Sequence, residues 1–458
     1  MAETPVVDRP RSSGVDLLRF RLLRGFLQGR AYPLTLQVVL SLGFALIVFY
    51  GFVGPPHGED NFGVAVTWRI WWLLLPFSFL LFARAWCAVC PLGAAGDLAQ
   101  RLAFWPLREP GVLLRRGGAW VISISFFLLI WAGIVWRIDH TPMSTSLLLL
   151  VLLGAVVVTS LIFQRRAWCR YLCPLGNLAG LFSMLSFVSL RFRKQVCLSG
   201  CTRGRCVLAT GVCHMYERPP ALNSNRYCDL CAQCIGECKP ASAALALRHP
   251  WTELAEMKRP LMGEVVFVFI IFAVGFLELL QTTPLYPAYM KWAVESFAAS
   301  YNGVFSLSLF ASMIVLIGTY LAASAAGGAW RVGGEKWATF GYVYLPLALA
   351  SHLNAAVPHL VNHTPRAFEV MIGQLFKGLD PFMLPPVVRG LNYGYNLPII
   401  AVQAIILAVG LWVTVYALRR LSEREAGVGR GALFHYVFAG VLALALGGLL
   451  LLPMGTLH

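Results

Sequence analysis

The chain has 458 residues, 58% of them hydrophobic and only 13% charged, with a formal net charge of +16. A soluble domain carries about 25% charged residues, so this balance excludes an ordinary water-soluble fold and points to an integral membrane protein. The arginines lie beside apolar runs, which is the pattern of membrane anchoring and argues against nucleic acid as a partner.

The first thirty residues hold Arg9, Arg11, Arg19, Arg21, Arg24 and Arg30. No short apolar core with a small-residue cleavage site follows, so no cleaved signal peptide is expected. The stretch 15–30 reads either as a basic amphipathic helix on the membrane surface or as a solvated basic tail.

A spanning helix needs roughly 20 apolar residues. Such runs occur at 33–53, 65–85, 118–137, 145–163, 262–282, 303–325, 339–360, 397–417 and 434–454, which predicts an all-α membrane protein of nine helices. Short-loop Lys and Arg alternate from side to side along these spans. By the positive-inside rule the N-terminus is cytoplasmic and the C-terminus outside. Loop 361–396 departs from the alternation, with Arg366, Lys377 and Arg389 on the outer side. The organisation expected is a basic segment 1–32, a four-helix membrane duplication 33–189, a small cytoplasmic α+β domain 190–258, and a C-terminal bundle 259–458.

The duplication is visible as a phrase. Arg-Ala-Trp-Cys and Cys-Pro-Leu-Gly occur after span two, at Arg84–Gly93, and again after span four, at Arg166–Gly176. Pro91 and Pro174 interrupt any helix just past the second cysteine. Two helices precede each copy on the same side. If the helix pairs pack about a pseudo-two-fold, Cys87 and Cys90 face Cys169 and Cys173. Four thiolates would then converge on a third metal centre. The alternatives are a thiol relay, or small residues at helix ends.

The segment 190–258 is polar, basic and too small to fold on a large core. On the expected topology its cysteines face a reducing compartment, which favours metal over disulfides. Cys228, Cys231, Cys234 and Cys238 have the spacing C-x2-C-x2-C-x3-C, the run that holds a [4Fe–4S] cube with three thiolates and sends the fourth to another cluster. Zinc ribbons use only two CxxC knuckles. The partner set is Cys197, Cys201, Cys206 and Cys213. By crossover, Cys213 completes the cube of Cys228, Cys231 and Cys234, while Cys238 joins Cys197, Cys201 and Cys206. Two [4Fe–4S] clusters are therefore expected. The wider spacing of the partner set leaves a different cluster type or partial ligation open for the latter.

Residues 65–248 together resemble the membrane polyferredoxins of the NapH, NosR and CcoG type: two Cys-Pro phrases after helices, then a cytoplasmic ferredoxin segment. The resemblance implies electron transfer between quinol and [4Fe–4S] centres, serving a periplasmic reductase or a metalloenzyme under maturation. This chain differs in lacking a flavin-bearing periplasmic domain, in its irregular first ferredoxin motif, and in its four helices beyond residue 300.

Those helices carry ionisable residues. His352, His359 and His363 are spaced i, i+7, i+11, on one helical stripe, and Glu278 lies near the outer end of span five. A quinone site with proton transfer, a metal site, and local hydrogen bonding are the readings. Haem b is not expected, because no other span offers an interior His. The function expected is electron passage between the quinone pool and the clusters toward a soluble or membrane-bound redox partner. A quinol-linked oxidoreductase subunit is one form of it. An assembly factor or redox sensor for a metalloenzyme is the alternative. A transporter is suggested by helix count alone and lacks broken central helices with paired charges.

Overall fold

The computed structural model of the chain describes residues 15–29, 31–199, 201, 213–238, 242–256, 260–326, 334–376, 397–424 and 429–452. A short helix α1 (Arg21–Gln28) precedes the first span, α2 (Leu34–Val53). Span α3 (Phe62–Phe82) leads to the first cysteine phrase and then to α4 (Pro91–Leu102). The pattern repeats with spans α5 (Val112–Val135) and α6 (Pro142–Ile162), the second phrase, and α7 (Pro174–Ser183). After the cysteine-rich segment come α8 (Met262–Gln281), α9 (Leu285–Phe297), α10 (Tyr301–Ala326), α11 (Leu345–Leu375), α12 (Leu397–Arg424) and α13 (Gly429–Leu450).

Among the described residues, eight helices are long and apolar enough to cross a membrane: α2, α3, α5, α6, α8, α10, α12 and the 432–450 part of α13. The seventh expected span, 339–360, is the one that differs. The chain there forms α11, 31 residues long, which continues through Pro358 and Pro365. Every residue from Leu345 to Pro358 is buried, including Ser351, His352 and Asn354. This helix packs on α8, α12 and α3, so protein rather than lipid surrounds it. Such a position tolerates polar side chains, which is why its apolar signature is weak. Helix α9 is an element the apolar pattern did not announce.

The duplication folds as a pair. Helix α4 packs on α2 and α6, and α7 packs on α5 and α3. Each post-phrase helix thus docks on the first span of its own copy and on the second span of the other. Span α3 is irregular: Asn61 caps its start by accepting from the Gly63 N–H at 2.8 Å, and Ala65–Trp71 is wound as a π-helix.

Strands β1 (Val188–Phe192) and β2 (Ala243–Leu247) bracket the cysteine-rich segment as an antiparallel pair, Val188 opposite Leu247 and Phe192 opposite Ala243. The N-terminal segment covers the free edge of β2, with the Leu247 N–H donating to the Val15 carbonyl at 3.1 Å. Helix α1 follows and lays Leu23 and Leu27 on the apolar cluster of this sheet, while Leu22 points out. It is thereby docked on the cysteine-rich segment. Buried ion pairs strap that segment down: Arg191 and Arg248 both meet Glu253, and Arg226 reaches Glu264 of α8 at 2.7 Å.

Candidate functional site

The two cysteine phrases are built alike. In each, a residue with positive φ, Ala83 (φ 49°) or Arg165 (φ 54°), turns the chain sharply just before the arginine that opens the phrase. A short helical turn carries the first cysteine. The second cysteine, Cys90 or Cys173, then occupies the N-cap of α4 or α7, with proline at the first helical position. Proline suits that position because its missing N–H would have no helical partner there.

The arginines cross over. Arg84 of the first copy donates to the Cys169 carbonyl of the second at 2.9 Å. Arg166 of the second copy donates to the Cys87 carbonyl of the first. The glycine ending each phrase makes room for the visitor. A Cβ on Gly93 would lie 3.3 Å from the Arg166 guanidinium. A Cβ on Gly176 would lie 3.5 Å from Arg84 and 2.8 Å from the Cys169 carbonyl oxygen. The reciprocal brace draws the two phrases together. Cys87, Cys90, Cys169 and Cys173 consequently lie within electrostatic reach of one another, and burial pushes the Cys173 thiol up to about 12, with Cys87 and Cys90 adding to the effect.

The two braces differ in their counter-charges. Arg166 has carboxylates, Asp97 at 2.7 Å and Asp229 at 3.4 Å. Arg84 is 1% exposed and has no carboxylate partner among the described residues. Its Nε points at Cys87 Sγ, 3.2 Å away, and its other contacts are the Cys169 and Arg226 carbonyls. Burial alone would weaken this cation, yet Cys87 and Cys169 hold its charge more firmly than usual. A buried unpaired charge is costly, so the site calls for negative charge at the sulfurs. A thiolate-bound iron–sulfur centre supplies it, and the four sulfurs between two crossed arginines fit such a group.

The ferredoxin-type cysteines are also gathered. Cys213, Cys228, Cys231 and Cys234 line one small cavity under β1. The loop is shaped by left-handed backbone at Leu230 (φ 54°) and Ala232 (φ 61°), on either side of Cys231. Burial, then the neighbouring Asp229, pushes the Cys228 thiol up to about 12. Cys238 and Cys197 share Ser242, whose hydroxyl lies 3.4 and 3.1 Å from their sulfurs. Cys201 is half-buried. Cys206 lies outside the described residues. The N-terminal chain clamps this loop, with Tyr32 donating to the Leu230 carbonyl at 2.8 Å. Cys231 in turn packs on Ala88 and Val89 of the first phrase, so the ferredoxin loop touches the four-cysteine site directly.

The histidine stripe faces a cavity of about 300 Å³ inside the bundle. His352, His359, His363 and Glu278 all line it. His352 Nδ1 is 3.1 Å from the Glu278 carboxylate, and His352 Nε2 is 2.8 Å from the Ile271 carbonyl oxygen. His359 stacks on His363 with centroids 5.4 Å apart. The π-helical stretch of α3 brings Trp68 and Arg69 to the same space, while Asp139 and His140 enter from the turn between α5 and α6. The far wall is α7 itself, through Leu178 and Phe182. One helix therefore starts at Cys173 and ends at the cavity, a distance of about 14 Å from Cys173 to Phe182 at 1.5 Å per residue.

Several residues here escaped the sequence reading. Arg69 and Trp68 sat inside an apolar run, and only the presence of a charge in a span marked them. Asp97 and Asp229 needed the crossed geometry to be noticed. His214 lies with Asp229 and Cys231, one ligand atom of each within 4.8 Å of the others. His435, near the start of α13, is an interior histidine on another span, contrary to expectation. It is 1% exposed, and its Nδ1 meets the Tyr344 hydroxyl at 2.9 Å. It packs on Phe340 and is absent from the lining of the histidine cavity.

Comparison with known proteins places this geometry. The family described as a 4Fe-4S binding domain matches twice, at residues 64–111 and 145–195, each match holding a span, its cysteine phrase and the helix that follows. YccM of Escherichia coli strain K12, whose name assigns it to electron transport, is 31% identical over 144 residues, which cover 26% of this chain and 40% of that one. The methylamine utilization ferredoxin-type protein MauN of Methylorubrum extorquens AM1 is 28% identical over 149 residues, covering 29% of this chain and 50% of that one. The chain thus spans half the length, or less, of these two relatives. No solved structure matches.

Proposed function

We propose that this chain, a membrane polyferredoxin by its paired 4Fe-4S binding domains, carries electrons between a membrane quinone and its cysteine-held iron–sulfur centres, and on to a redox partner protein. The observation that carries the quinone part is the cavity in which Glu278, His352, His359 and His363 meet the back of α7. Oxidation of one quinol releases two electrons and two protons, and the reverse reaction takes up the same. The protons need acceptors, and the Glu278–His352 pair and the His359–His363 stack stand ready beside the cavity. His140 and Asp139 continue the polar path toward the end of the bundle away from the cysteines. Burial holds the His140 imidazole below its usual range, so it relays a proton in its neutral form.

The electrons leave along α7. Iron–sulfur centres supply one-electron steps when bound. Cys87, Cys90, Cys169 and Cys173 would hold one such centre at the head of α7, with Arg84 and Arg166 offsetting its negative charge. Cys213, Cys228, Cys231 and Cys234 would hold the next, in contact with the first phrase through Cys231 and Ala88. Cys238 and Cys197, which share Ser242, would hold the last together with Cys201 and Cys206. In this reading the centres run from membrane depth outward, the basic cysteine-rich segment is the face offered to a partner, and the N-terminal side is in the cytoplasm.

The test is single-turnover reduction of anaerobically prepared protein by a short-chain quinol, followed by bleaching of the cluster absorbance. Replacing His359 by Leu together with Glu278 by Gln is expected to slow bleaching about a hundredfold, the usual worth of positioned acid–base groups. Dithionite should still reduce the variant fully. Unchanged quinol-driven bleaching in that variant would remove the cavity from the electron path.

A further inference from the structure

A second cavity, of about 820 Å³, lies where α5, α7 and α8 meet the cysteine-rich segment. We propose that it is a binding site for a phosphate-bearing anion. Its lining holds Arg115, Arg116, Arg170, Arg218 and Arg226, of which Arg115 is paired outside the lining with Glu109 at 2.7 Å. Glu217 is paired with Arg170 at 2.9 Å, Glu253 with Arg248 at 2.7 Å, and Glu264 with Arg226 at 2.7 Å. Glu256 is engaged as well. Arg116 and Arg218 face the same cavity and have no partner among the described residues. Arg115 and Arg116 are the fourth and fifth residues of the 24-residue α5, close to the end where the helix dipole adds positive potential.

An independent observation lies at the back wall. Asn177 is 6% exposed, lines the cavity, and its Nδ2 has no hydrogen-bond partner. A buried amide donor without a partner is a standing cost, and an anionic oxygen at that point removes it. The first cysteine phrase has Ala94 at the equivalent place, so the polar group is not a requirement of the phrase. Tyr171 and Tyr216 add aromatic surface to the lining. The arginines provide charge-assisted donors at the mouth, and Asn177 a neutral donor at the depth of the site. Tyr227 lines both this cavity and the one that gathers Cys228, so an occupant would border the ferredoxin loop.

Phosphate is the group shared by two sources, the headgroup of an anionic phospholipid and a soluble phosphate. The cavity lies beside the first turns of spans α5 and α8, a position that suits either.

The proposal is tested on the full chain in detergent, titrated separately with phosphatidylglycerol, phosphatidylcholine and inorganic phosphate while thermal unfolding is followed. Wild type is expected to gain several degrees from phosphatidylglycerol if the source is lipid, or from inorganic phosphate if it is soluble, and less from phosphatidylcholine. The Arg116→Ala/Arg218→Ala variant, which alters only exposed side chains, is expected to bind the effective probe at least about tenfold more weakly. Asn177→Leu should do the same, with Asn177→Gln recovering part of the affinity. Equal gains with phosphatidylglycerol and phosphatidylcholine and none with inorganic phosphate, equal shifts in wild type and the arginine variant, or no shift with any probe would overturn the proposal.

Discussion

The two cysteine phrases have nearly the same sequence and the same backbone turn, yet their surroundings differ. Helix α4 of the first copy buries only its small face, Gly93, Gly96 and Ala99, and leaves Leu98 and Leu102 exposed. Helix α7 of the second copy is buried along almost its whole length and ends against the histidine cavity. The arginines diverge likewise. Arg166 is neutralised by Asp97 and Asp229, whereas Arg84 meets Gly180 where its twin meets Asp97. The two phrases form a nearly symmetric cradle in which one half has counter-ions and the other half a helix that reaches the cavity. A charge left unbalanced in only one half is what a bound anionic centre would exploit.

The widest gap between the halves should open on removing the arginines. Arg166→Met strands the buried Asp229 and is expected to cost about 3–5 kcal/mol of stability even in metal-free protein. Arg84→Met strands no carboxylate and should cost much less there, but should lower iron retention in the loaded protein. Denaturant unfolding of both forms, with iron counted in each, measures the contrast. Equal losses for the two variants in both forms would mean the counter-charges are not distinct.

A smaller difference is expected at the glycines. Gly176→Ala drives a methyl into a backbone carbonyl, which cannot yield, and should cost about 1–3 kcal/mol. Gly93→Ala presses only on the end of a side chain and should cost less. Thermal unfolding separates them, and the reverse order would contradict the crossed geometry. The smallest effect concerns the helices behind the phrases. Phe182→Leu should slow quinol-driven reduction several-fold, while Leu98→Ala on α4 should leave it unchanged. Stopped-flow reduction of the two variants decides whether α7 alone leads to the cavity.

Eight of the nine spans are legible because an apolar run is a local signal, as are the repeated phrase and the cysteine spacing. The stripe of His352, His359 and His363 was legible from helical periodicity, and Glu278 as its neighbour from depth alone. What sequence could not carry was pairing across the fold. Arg84 and Arg166 were seen as part of a phrase, but nothing in a linear string says that each serves the other copy. Helix α11 was read short because the same polar residues that line the cavity lower its hydropathy. His435 was passed over because it sits at the edge of its apolar run, although it is among the most buried polar groups of the bundle.

The central claim is that the two phrases share one metal centre, and iron and acid-labile sulfide counting on anaerobically prepared protein tests it most directly. Two cubes account for about eight irons, and a shared third centre adds about two to four. Changing Cys87 and Cys90 to Ser should remove those extra irons, changing Cys169 and Cys173 should remove the same irons, and changing all four should remove no more. The same iron content in wild type and the fourfold variant would contradict the shared centre and leave the crossed arginines as a structural brace alone.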